Sequence, residues 1–131
     1  MHEAFYMAEL VGSQEVPPVH TNAEGVALFY IEKNSDKMRY RIDLEGIRNI
    51  TQATIQVGRR NIIGPTVVEL INNQELTEDG KEGFITNADL AGPLKGKTIS
   101  ELTDLMLTGK AYVNIHTKNH PNGEIRGKIN Y

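Results

Sequence analysis

The segment Ala111-Tyr112-Val113-Asn114-Ile115-His116-Thr117 is followed by Lys118-Asn119-His120-Pro121-Asn122-Gly123 and then by Glu124-Ile125-Arg126-Gly127-Lys128-Ile129. It reads as strand, turn and strand. Val113 and Ile115 alternate with Tyr112, Asn114 and His116, which gives one apolar and one polar face. Asn122-Gly123 supplies residues that tolerate the positive φ of a tight hairpin turn. Pro121 has no N–H to give a ladder and belongs to the connection. Beyond the turn, Ile125 and Ile129 extend the apolar face, with Gly127 between them. Glu124, Arg126 and Lys128 join Asn114 and His116 on the polar one. Chemistry or recognition is expected on that polar face, and the candidate binding residues are Tyr112, Asn114, His116, Glu124 and Arg126.

Outward from this hairpin the same punctuation recurs. Met38, Tyr40, Ile42 and Leu44 alternate with Arg39, Arg41 and Asp43, a strand with one wet face. Further strands are expected over Phe5 to Gly12, Gly25 to Glu32, Thr51 to Val57, Thr66 to Ile71 and Gly83 to Thr86. Turns fall at Asn22-Ala23-Glu24-Gly25 and Asn34-Ser35-Asp36-Lys37, and the stretches Gly58 to Gly64 and Asn72 to Gly80 read as loop. The paired prolines Pro17-Pro18 keep their segment extended. One short helix is expected near 98–108. Thr98 and Glu101 fit a capping box, Ile99, Leu102, Leu105 and Met106 share a face, and Gly109 suits the C-terminal stop. Many short strands and one helix predict a single all-β domain over 1–131, a Greek-key antiparallel β-sandwich. Met38, Tyr40, Ile42, Leu44, Val113, Ile115 and Ile125 should point inward.

Two stretches carry a family resemblance. Tyr112-Val113-Asn114-Ile115-His116-Thr117 with Pro121-Asn122-Gly123-Glu124-Ile125-Arg126-Gly127 resembles the closing motif of the chordin-like (CHRD) domain. Leu10, Gly12 and Gln14-Glu15-Val16-Pro17-Pro18 resemble its opening. The resemblance covers nearly the whole chain and implies a topology similar to copper–zinc superoxide dismutase. Many such domains carry a His-Ile-His strand where this chain has Thr54-Ile55-Gln56. Neither Thr54 nor Gln56 is a good transition-metal ligand, although Gly64-Pro65-Thr66-Val67-Val68-Glu69-Leu70 continues the family pattern.

Composition narrows the function. The chain has 131 residues, no cysteine, no tryptophan and a formal charge of −3. There is no thiolate ligand or nucleophile, and the charge argues against a nucleic-acid partner. No apolar run is long enough to span a bilayer. The absence of a basic and apolar leader suits a cytoplasmic or spore-associated protein, or an extracellular one whose leader has been removed. Ser13, Ser35 and Ser100 have no visible partner base, and the loop Gly92 to Lys97 lacks the P-loop pattern.

A metal site would have to be built from His116, His120 and Glu124, since imidazole with carboxylate suits zinc or copper. The commoner outcome is that His116 and Asn114 pin the loop by hydrogen bonds while His120 is solvated. Arg126 can hold a carboxylate ligand in bidentate fashion or, more often, pair across strands. The expectation is a non-enzymatic binding or structural module of the CHRD type, without cofactor or metal. A stand-alone, bacterial-type domain of this kind suits a cell or spore surface and an unidentified protein or surface partner. Its sheet edges leave self-association open. The competing expectation is a metal-binding oxidoreductase-like protein with superoxide dismutase-like topology.

Overall fold

A computed structural model describes residues 4–31, 36–58, 62–72 and 80–131. The turn expected at Asn34-Ser35 and most of the loop after Asn72 lie outside the described residues. The strands are β1 (Ala4–Val11), β2 (Glu24–Ile31), β3 (Met38–Glu45), β4 (Ile50–Val57), β5 (Thr66–Asn72), β6 (Lys81–Ile85), β7 (Ala111–Thr117) and β8 (Ile125–Lys128). The helix α1 (Ile99–Leu107) sits between β6 and β7.

All pairings are antiparallel, in the order β5-β4-β7-β8-β1-β2-β3-β6. Strands β3 and β6 are neighbours, and so are β4 and β7, so the chain crosses over and returns beside an earlier strand. That is Greek-key connectivity. The sheet folds into two halves, β5-β4-β7-β8 and β1-β2-β3-β6, joined where Val11 pairs with Arg126. Gly127 makes the joint close: a Cβ there would collide with the carbonyl oxygen of Glu9. On the far side the Tyr40 hydroxyl donates to the Leu70 carbonyl at 3.0 Å, tying β3 to β5. The result is a sandwich that approaches a flattened barrel.

Period-two alternation decides what faces inward. Met38, Tyr40, Ile42 and Leu44 are buried, as are Val113, Ile115 and Ile125, all in one apolar cluster. Helix α1 adds Ile99, Leu102 and Met106 to the same cluster.

Two local expectations are corrected. The side chain of Thr98 makes no cap bond; the Ile99 N–H donates instead to Asn87 Oδ1 at 2.8 Å. Asn87 lies in a short 3-10 turn whose preceding residue, Thr86, is bonded through its N–H to the Asp89 carboxylate at 2.8 Å. The reciprocal box therefore caps this 3-10 turn, well before α1 in the chain, and the turn presents Asn87 to the start of the helix. The β7–β8 hairpin is also wider than a tight turn. Residues 118–124 fold back over the sheet, held by Gly123 N–H to His120 O at 2.9 Å and Glu124 N–H to Ile115 O at 2.8 Å. Gly123 has φ +126° while Asn122 is not in the positive-φ region.

Candidate functional site

On the face of β4, β7 and β8 that points away from the core, the ladder sets Gln52 opposite His116, Thr54 opposite Asn114, and Gln56 opposite Tyr112. Arg126 lies opposite Asn114 on the other side. An outward polar row is ordinarily wet, yet Asn114 is 0%, Thr54 and Arg126 1% and Tyr112 2% exposed. Cover comes from the segment after β1 (residues 12–23), from residues 62–65 ahead of β5 and from the 118–124 connection. Buried polar groups must then find partners, because leaving them unpaired is costly.

Most of them do. Arg126 donates from Nη2 to the Ile62 carbonyl at 2.7 Å and from Nη1 to the Gln14 carbonyl at 3.4 Å. Its guanidinium lies 4.1 Å from the centre of the Tyr112 ring, a stacked cation. One side chain thus ties two covering segments to β8. Burial pulls the Arg126 pKa down, opposed by Tyr112 and Glu15.

His116 bonds through Nδ1 to the Pro121 carbonyl at 2.9 Å and through Nε2 to the Thr54 hydroxyl at 3.0 Å. A carbonyl only accepts, which places a proton on Nδ1; in the neutral ring Nε2 then accepts from Thr54. Asn114 Nδ2 donates to the Asn122 carbonyl at 3.1 Å and to Gln56 Oε1 at 3.3 Å. Glu124 receives the Thr21 hydroxyl at 2.7 Å on one oxygen and the Thr117 hydroxyl at 2.9 Å on the other.

The five candidate binding residues therefore gather in one layer, but as anchors for loops. Of the His116, His120 and Glu124 set, both ring nitrogens of His116 and both oxygens of Glu124 are already engaged. His120 stands partly exposed in the connection. Among the described residues no three His, Asp or Glu side chains come together as a metal-holding group.

Sequence reasoning missed Glu15. It is 5% exposed, and its Oε2 has no hydrogen-bond partner. Burial pushes its carboxyl up to about 7, with Arg126 opposing and Glu124 adding to the rise. A lone glutamate before two prolines carries no signal of burial. Thr21 was missed as well, and its partner Glu124 lies 103 residues away in the chain.

The CHRD domain family model matches residues 6–129. The chain belongs to the CHRD domain family. No curated protein and no solved structure matches it. In this CHRD domain, Thr54 and Gln56 lie on β4 beside β7. Their hydroxyl and carboxamide complete the polar layer by bonding His116 and Asn114.

The other half of the CHRD domain has an open outer face. Cross-strand neighbours Phe5, Tyr30, Arg39 and Phe84 form one row over β1, β2, β3 and β6. Two of the three phenylalanines in the chain, Phe5 and Phe84, are more than half exposed there. A groove of about 450 Å³ runs along this row. Arg41 at its side is paired with Asp43 at 2.7 Å and Glu82 at 3.1 Å.

Proposed function

We propose that this CHRD domain is a non-catalytic binding or structural module that engages a protein or surface component, at a cell or spore surface. The observation that carries the reading is the closed polar layer. A catalytic or metal centre needs ligands free to meet a substrate or ion. Here the side chains best suited to that work, His116 and Glu124, are bonded to Thr54, Pro121, Thr21 and Thr117. Membership of the CHRD family supports the same reading. The open row of Phe5, Tyr30 and Phe84 offers apolar area for a partner, which the closed half does not. No helix among the described residues is long and apolar enough to cross a membrane.

The test is metal loading. The protein is refolded with zinc and copper, dialysed, and measured by elemental analysis and a superoxide dismutation assay. The module reading expects neither stoichiometric metal nor dismutation. One zinc or copper per chain, lost in both His116→Ala and His120→Ala, would promote the oxidoreductase reading instead.

A further inference from the structure

We propose that Glu15 and Asn114 share a proton in the folded domain, forming a latch that holds residues 12–23 over the polar layer and slackens when the proton leaves. Asn114 sits at the centre of the covered layer. Its Nδ2 has two acceptors, the Asn122 carbonyl and Gln56 Oε1, which fixes the orientation of the amide. Oδ1 is then the acceptor end of the amide, and it is buried without a donor. Glu15 Oε2 is buried without a donor too. Both oxygens border one point, the place where a Cβ on Gly123 would sit: Glu15 Oε2 is 2.6 Å from it and Asn114 Oδ1 closer still, with Asn114 Nδ2 at 2.7 Å. Only glycine leaves that point free. Two acceptors brought together in a dry site lack a hydrogen, and a protonated Glu15 carboxyl supplies it, directly or through one water.

The surrounding charges are mixed. Arg126 on β8 favours the carboxylate, and Glu124 on the 118–124 connection disfavours it. The ionisable groups of β7 nearest the layer are Tyr112 and His116, and His20 lies on the segment itself. Burial outweighs Arg126, which is why the carboxyl is pushed up to about 7. The folded state therefore holds a proton that the unfolded chain has released. This contribution is complete below about 4.5, falls as pH rises from there to about 7, and is gone above it. In the folding equilibrium constant the change is at most on the order of a few hundredfold. Once ionised, the carboxylate faces Asn114 Oδ1 and is drawn to Arg126. Segment 12–23 keeps the Gln14–Arg126 and Thr21–Glu124 bonds to the layer and loses the one through Asn114.

Two measurements test the latch. Carbon-13 NMR of the whole chain follows the Glu15 carboxyl through pH, and urea midpoints between about pH 5 and about pH 8 are compared for the native protein and Glu15→Gln. The substituted carboxamide donates an N–H at every pH. The latch predicts that Glu15 titrates near neutrality, that the native midpoint falls with it, and that Glu15→Gln loses at least about half of that fall. Titration of Glu15 in the ordinary carboxylate range overturns the proposal, as does a Glu15→Gln variant that keeps the full pH dependence. If the variant does not fold, the native titration decides alone.

Discussion

His116 and His120 show how two like residues in one hairpin take different roles. The His116 ring is wedged between the Thr54 hydroxyl of the covered layer and the Pro121 carbonyl of the connection that covers it. Replacing it strands the buried Thr54 hydroxyl and releases the Pro121 carbonyl. We expect His116→Ala to lower stability by about 1–3 kcal/mol. His120→Ala should stay within about 0.5 kcal/mol, as surface changes usually do. Urea midpoints decide the matter, and a larger loss for His120→Ala contradicts the loop-anchoring role. Strand periodicity placed Tyr112, Asn114, His116 and Arg126 on one face, because alternation is a local property of the backbone. It could not reveal that the face is covered. That depends on Glu15 and Thr21, which meet it only through chain closure over about a hundred residues.

The elements divide in the same way. Strands with clean alternation were legible, β3 above all, because burial on one face imposes the pattern directly. The helix was legible from its apolar stripe, whereas its cap was not. The Thr98–Glu101 spacing fits a box, but the bond to the first free N–H comes from Asn87, eleven residues before Thr98 in the chain. Asn87→Ala should therefore cost about 0.5–2 kcal/mol, and Thr98→Ala clearly less. Thermal unfolding of the two variants side by side reads the difference. An equal or larger loss for Thr98→Ala would mean that the threonine supplies the cap. The final hairpin was legible in part. Pro121 and Gly123 mark a turn, and His116 and Asn114 hold the loop by hydrogen bonds as expected, but the width of the turn was not legible from the residues within it.

The two halves of the molecule share one apolar core and differ in their outer faces. The β1-β2-β3-β6 half leaves Phe5 and Phe84 open, while the β5-β4-β7-β8 half hides its polar row beneath loops. The claim on which the functional reading rests is that this cover belongs to the folded structure and keeps the polar layer closed. Amide hydrogen exchange tests it most directly. Val19, Gly123 and Glu124 donate to the carbonyls of Gly12, His120 and Ile115 within the covering segments or at their junction with β7. If the cover is part of the fold, these amides exchange at rates approaching those of β7, since they open only when the layer is disrupted. Exchange near free-peptide rates at Val19 and Gly123, with β7 still protected, would show a cover that opens on its own and would contradict the closed layer.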